Sequence, residues 1–365
     1  MNINNQVPDH ILEIINRHLD YVVPVANRGG LMAAGVNGPY YDVETPVRNT
    51  AHWLITFALL FKSTGEEQYK HAANKLLNFL LNPGKHCKEQ VYVHRQKKGK
   101  DWSNGIIGQA WVVEALNIAG KILNSTDASK KAVEAVNVFK FNNSLSVWDR
   151  IDAADGSKAI DYTLNHQLWF AAAKAETDHS SYVEVDTFLT SLQNGAFRVR
   201  SNGLICHLLY SSSFKGKLLE YRYLLLEKKN MKAVLVKEIG YHLFNLYPLA
   251  RLYRVRSEHP FFKTEKFIKA LNYMVSEEFI EALENNKYAY PYNSPAFEMP
   301  LALFTFKHLL KESIDIDDII KRQLQKQEEL TFDSESKVFS KNTDDSLTLT
   351  ARLYEYILGL EYKSH

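Results

Sequence analysis

Residues 49–61 read NTAHWLITFALLF, residues 104–116 read NGIIGQAWVVEAL and residues 161–173 read DYTLNHQLWFAAA. They set Trp53, Trp111 and Trp169 at a constant spacing of 58 residues, each inside a strongly apolar run. A fixed period of this length marks a repeated supersecondary unit. Outward from these segments, two kinds of predicted helix alternate. Six carry an apolar stripe, over about 8–20, 66–82, 127–140, 180–194, 262–284 and 315–328. In the second, Tyr69, Ala72, Ala73, Leu76, Leu77 and Leu80 share one face, while Glu66, Glu67, Lys70 and Lys75 lie elsewhere. The other six, about 46–63, 104–123, 161–176, 238–256, 298–311 and 346–361, are apolar nearly all round, as helices buried on every side are. An outer ring of striped helices around an inner ring of buried ones satisfies both patterns. The predicted fold is therefore all-α, an (α/α)6 toroid of alternating outer and inner helices, with residues 1–365 as one domain.

The connections fit that arrangement. Buried helices pass to striped ones through short turns (STGEE, NSTDA, TDHSS, SEHPF, KESID). The return runs through long segments, 21–45, 83–103, 141–160, 195–237, 285–297 and 329–345. Long ordered loops commonly carry binding and catalysis, and here they gather where every inner helix begins. Segment 195–237, with its β-branched and aromatic residues and an Asn202–Gly203 turn, is expected to be a small β-rich insertion.

Composition narrows the function. The 365 residues carry 44 basic and 42 acidic side chains, a net charge of +2 that leaves no electrostatic footprint for nucleic acid. The one basic run, HRQKKGK at 94–100, is expected to be a solvated loop. No stretch of apolar residues is long enough to span a membrane, and MNINNQVPDH does not read as a secretory signal. A cytoplasmic location is expected. Cys87 and Cys206, the only cysteines, are too few for a thiolate zinc site, and neither a metal nor a cofactor is expected. Dinucleotide, P-loop, H-E-x-x-H and G-x-S-x-G motifs are absent.

The informative residues are polar ones near the inner-helix starts: Asp42, Glu44, Arg48, Asn49 and His52; Asp101, Trp102, Asn104 and Gln109; Asp161, Asn165 and His166; Glu238, Tyr241, His242 and Asn245; Tyr292, Asn293 and Glu298; Asp344 and Asp345. Capping explains single acids such as Asp161 or Asp345, and Glu44–Arg48 fits an ordinary helix ion pair. Capping does not explain the His, Arg, Asn and Gln one turn further in. Buried polar groups are costly unless paired, so their recurrence predicts a shared, wet cavity. Several helix N-termini aimed at that cavity favour an anionic ligand. Trp102, Tyr292 and Trp148 are candidate stacking faces for sugar rings, while Trp53, Trp111 and Trp169 are assigned to the core.

The residues 49–69, NGIIGQAWVVEAL, DYTLNHQLWFAAA and GYHLFNLYPLARLY at 240–253 resemble the AglQ-like proteins found with glycan-assembly genes. More distantly they are similar to toroidal unsaturated-uronyl hydrolases and to the helical domain of glucuronyl C5-epimerases. The resemblance covers about residues 40–310. It implies a carbohydrate-active toroid working on uronic acid or a related glycan. Asp161 is the nearest match to the general acid/base of the uronyl hydrolases.

The leading expectation is a glycoside hydrolase acting with inversion on an acidic oligosaccharide or polysaccharide, using two carboxylates in a central funnel. Asp161 and Asp101 are the first candidates for the catalytic acids, followed by Glu238 and Asp345. Arg48, His52, Trp102, Asn104, Gln109, Asn165, His166, Tyr241, His242, Tyr292, Asn293 and Glu298 are the expected substrate contacts. Two alternatives stand beside it. One is a uronate epimerase, isomerase or lyase, in which His or Tyr removes a proton beside the sugar carboxylate and Arg48 neutralises the developing charge. The other is a non-catalytic glycan-binding protein of a polysaccharide-assembly pathway.

Overall fold

The computed structural model describes residues 7–22, 31–209 and 230–363. Its helices are α1 (Asp9–Val22), α2 (Val47–Thr64), α3 (Glu67–Leu81), α4 (Ile107–Ile122), α5 (Thr126–Asn137), α6 (Leu164–Thr177), α7 (Tyr182–Ser191), α8 (Met231–Arg256), α9 (Glu265–Met274), α10 (Glu277–Ala282), α11 (Pro295–Phe306), α12 (Ile316–Thr331), α13 (Ser346–Ala351) and α14 (Leu353–Lys363). Helices α2, α4, α6, α8, α11 and α14 pack side by side in that order, and α14 returns to α2 to close the ring. Outside them, α3, α5, α7, α9 and α12 each pack on the inner helix that precedes them, and α1 packs on α3. This is an (α/α)6 toroid.

Local chemistry sets the elements. Every residue of α2 from Val47 to Leu60 is buried, whereas α3 buries only Tyr69, Ala72, Ala73, Leu76, Leu77, Phe79 and Leu80. Helix α2 ends at Gly65, whose φ of 72° suits glycine and whose amide donates to the Phe61 carbonyl at 2.8 Å. The short turns are capped. The Ser125 hydroxyl accepts from the Ala128 amide, and the Asp315 carboxylate accepts from the Asp318 amide.

Several boundaries differ from expectation. The stripe at 262–284 is two helices, because Ser276 caps a new one at its Phe279 amide. The run at 346–361 breaks at Arg352, whose side chain is bound to the neighbouring inner helix and its loop. The inner helices expected from 104, 161 and 298 begin at Ile107, Leu164 and Pro295. Of the expected β-rich insertion, residues 210–229 lie outside the described residues. Residues 231–237 are helix α8, and the remainder holds isolated bridges, Val199 to Ile205 and Thr163 to Leu208, around the Asn202–Gly203 turn.

Strands occur instead in three other loops. They are β1 (Cys87–Lys88) with β2 (Val91–Tyr92); β3 (Phe141–Asn142), β4 (Val147–Ile151) and β5 (Lys158–Ile160); and β6 (Phe332–Asp333) with β7 (Val338–Phe339), all antiparallel. Glutamines on the inner helices hold the first two groups. Gln109 accepts from the Tyr92 amide at 2.8 Å and donates to its carbonyl at 2.9 Å. Gln167, 58 residues later, holds Trp148 the same way at 3.0 and 2.8 Å. The period that the tryptophans reveal thus extends to these clamps. No helix among the described residues is long and apolar enough to cross a membrane.

Replacing Gln109 by Ala would leave a buried amide and a buried carbonyl unpaired. The expected cost is about 2–4 kcal/mol, measured as a lower urea midpoint at unchanged m-value.

Candidate active site

The starts of the inner helices and the loops before them surround a funnel of ≈ 350 Å³. One wall carries Asp42, Arg95, Lys100, Asp101 and Arg150. Arg95 bridges the acids, reaching Asp42 Oδ2 at 2.9 Å and Asp101 Oδ2 at 3.0 Å, and Arg150 adds a 2.7 Å contact to Asp101. Lys97 and Lys100 both reach Asp42 at 2.7 Å. Burial pushes both carboxyls upward. For Asp101 the Gly105 amide, Arg95 and Arg150 outweigh it; for Asp42 the two lysines and Arg95 do. Both acids are held below the ordinary carboxylate range.

The next wall turns on two left-handed residues, Asn104 (φ 56°) and Gly105 (φ 64°). Their turn aims successive amides at different acids. Gly105 N donates to Asp101 Oδ1 at 2.6 Å, and Ile106 N donates to Asp161 Oδ2 at 3.2 Å. A side chain at 105 would also collide with the site, since a Cβ there lies 2.4 Å from His166 Nδ1 and 2.6 Å from Asp161 Oδ2. Asp161 binds His166 Nδ1 at 2.7 Å and accepts from the Thr163 amide at 3.1 Å. Burial would raise this acid, but His166 and the two amides hold it well below the ordinary range. An ionised carboxylate can only accept, so Nδ1 carries the proton and Nε2 is the basic nitrogen. His166 lines the funnel with 24% of its side chain exposed.

The third wall comprises Asn37, Tyr40, His207, Lys237, Tyr241, Phe244 and Tyr292. Tyr40 and Tyr241 share a hydroxyl contact of 2.9 Å, and Tyr292 donates to Asn37 Oδ1 at 2.8 Å. Burial, and then the nearby Lys237, hold His207 well below the usual imidazole range. Burial alone lowers Lys237 to about 8. Among the described residues, no three His, Cys, Asp or Glu side chains converge as a metal site would require.

Of the expected residues, Asp101, Asn104, Asn165, His166, Tyr241 and Tyr292 line the funnel, and Asp161 stands directly behind His166. The others are engaged elsewhere. Glu238 is fully buried, paired with Arg200 and accepting from the His207 amide at 3.2 Å. Asp345 caps α13 and accepts from the Val36 and Gly38 amides. Arg48 lies 4.0 Å from the Trp111 ring centroid and pairs with Glu44, and His52 accepts from Arg48 while stacking on Tyr354. His242 uses both ring nitrogens, on the Ile205 amide and the Ala270 carbonyl. Asn293 and Glu298 bind Arg352, and Gln109 clamps Tyr92.

Of the expected stacking faces, Tyr292 lines the funnel and the two tryptophans do not. Trp102 packs against the core, and Trp148 is fully buried with its indole N–H on Glu184. Trp111, assigned to the core, is buried yet lines the funnel. The basic run at 94–100 is no free loop, since Arg95 and Lys100 form part of the funnel wall. Arg150, His207, Lys237 and Tyr40 escaped the sequence reading because they sit in loops or ahead of the expected helix start, with no periodicity to mark them.

No family model matches the chain. A protein of Haloferax volcanii, archaeal glycosylation protein Q, is 36% identical over 349 residues, covering 89% of this chain and 91% of its own length. The chain belongs to the archaeal glycosylation protein Q family. Among solved structures, an unsaturated glucuronyl hydrolase specific for heparin superposes with a TM-score of 0.64 at 11% identity, covering 98% of this chain and 97% of its own. A D-mannose isomerase superposes at 0.62 with 12% identity, covering 98% of both chains. At such identities these likenesses establish the toroid and not the reaction.

Asp161 generates a pH prediction. Its carboxyl is depressed in the fold, so its stabilising contribution is complete above the unfolded value of about 3.9 and is lost as pH falls below it. The variant D161N should show a flatter fall in urea midpoint between pH 5 and 2 than the parent protein.

Proposed function

We propose that the protein transfers protons on an anionic sugar, epimerising or isomerising a uronic acid unit of a glycan, with His166 as the base. The observation that carries this reading is the Asp161–His166 pair, whose basic Nε2 belongs to a funnel-lining ring. An oriented imidazole beside an ionised carboxylate is suited to proton transfer near neutral pH. The funnel wall has four cationic side chains, Arg95, Lys100, Arg150 and Lys237, against two carboxylates, Asp42 and Asp101. That excess favours an anionic substrate, as do the starts of α4 and α6 at the funnel. Tyr241, whose hydroxyl burial keeps protonated, is the candidate proton donor. The family relative's role in archaeal glycosylation agrees with a glycan substrate.

Hydrolysis by a carboxylate pair is the competing reading, favoured by the presence of both Asp42 and Asp101 in the funnel wall. It needs one acid held protonated. Both lining acids are instead lowered, and the raised ones, Glu44, Glu114, Glu298 and Glu355, are buried away from the funnel lining.

Incubation of the enzyme with a glucuronate-containing oligosaccharide in deuterated water separates the readings. Deuterium is expected on the sugar carbon beside the carboxylate, and H166Q should slow its entry by roughly 10²–10⁴-fold. New reducing ends without deuterium would point to hydrolysis and remove His166 from this role. A product absorbing in the ultraviolet would indicate elimination.

A further inference from the structure

The cations of the funnel are not equivalent. Arg95 is divided between Asp42 and Asp101, Arg150 is paired with Asp101, and Lys100 is paired with Asp42. Each is matched by an acid of the protein itself. Lys237 is the exception. It stands one helical turn before Tyr241 on α8, with its ammonium 5.6 Å from the ring centroids of both Tyr40 and Tyr241. Among the described residues it has no carboxylate partner. Among the described residues its ammonium faces two tyrosine rings, which attract a cation without neutralising it, and stands near the His207 imidazole. A part-buried charge of this kind is costly unless paired, and an anion brought in from the funnel would pair it.

We propose that Lys237 anchors the carboxylate of the substrate sugar and makes the funnel selective for uronates over neutral sugars. The inference rests on the proton-transfer reading above and names the group that fixes its substrate class. It also replaces Arg48 in the role expected from the sequence, because Arg48 is covered by the Trp111 ring and committed to Glu44. The placement suits the chemistry. Lys237, His207 and His166 line the same funnel, with Asp161 bound to the His166 ring, so the ammonium and the Asp161–His166 pair border one space. A carboxylate held by Lys237 would therefore lie in the space that the basic imidazole also faces. Neutralising that carboxylate also makes the carbon-bound proton easier to remove.

A pH dependence follows. The titratable groups around the ammonium are Tyr40, Lys100, His207, Tyr241 and Tyr292. Burial raises the three phenols and lowers the imidazole, so none of those four changes charge between pH 7 and 9. Lys237 does, near 8. The anchor is charged below that value and lost above it.

The test is calorimetric titration of sodium D-glucuronate and of its neutral methyl ester into the parent protein, K237M and K237R at pH 6.5 and 9.5. The parent should prefer the acid by roughly 10–100-fold at pH 6.5, the span of one charge-assisted hydrogen bond, and lose most of that preference at pH 9.5. K237M should bind both sugars alike. K237R, charged at both pH values, should keep the preference at 9.5, and it serves alone if K237M does not fold. Preference retained by K237M, or absent from K237R at pH 9.5, overturns the anchor. If the parent catalyses deuterium exchange yet does not distinguish acid from ester, the anchor alone falls. If it neither binds sugar nor exchanges deuterium, the proton-transfer reading falls with it.

Discussion

The funnel depends on buried loop strands finding hydrogen-bond partners on the helices beneath them. A strand laid over the end of a helical barrel buries backbone amides and carbonyls that no sheet neighbour reaches, and leaving them unpaired is costly. Gln109 and Gln167 answer this by gripping both polar groups of Tyr92 and Trp148. The chain leaves Tyr92 toward His94, whose carbonyl takes the Thr45 amide at 2.7 Å and whose own amide donates to Trp102. Arg95 and Asp101 are thereby delivered to one wall. From Trp148 the strand runs two residues to Arg150, which completes the same wall.

Charge inside the barrel has a different job. Arg251 on α8 reaches Glu114 on α4 and Glu176 on α6, and Arg352, between α13 and α14, reaches Glu298 on α11 and Glu355. Tyr354 adds a contact from α14 to Glu114 at 3.4 Å. Such pairs are weak evidence for net stability. Each arginine ties inner helices to one another, and slipping one helix by a turn would strand a buried charge. They set the register of a ring whose apolar surfaces alone would tolerate sliding.

The toroid was legible because its two helix classes bury different fractions of their surface, and that difference is written in side-chain polarity. Short turns were legible as brief polar gaps between helical runs, and the repeat through three tryptophans. The site was legible only in part. Asp101, Asp161 and His166 were identified because they flank apolar helix starts. Arg48, His52, His242 and Glu298 were assigned to the cavity for the same reason, yet they pair within the barrel wall. Polarity in a buried helix states that a partner exists; it does not state whether that partner is a ligand or the next helix. Arg95 was read only as part of a solvated basic run, and Arg150 and His207 were missed, because loop residues carry no period.

The Asn104–Gly105 turn has a further consequence. Its consecutive amides serve Asp101 and Asp161, so two adjoining peptide units, joined at Gly105, hold the arginine-bridged carboxylate and the carboxylate that orients the histidine. The two sides of the cleft are mechanically geared together. An insertion or deletion in either flanking loop could not retune one side alone, because it would shift the Gly105 junction and disengage the other. Variation among relatives should therefore preserve the length of this junction while altering the residues that decorate it.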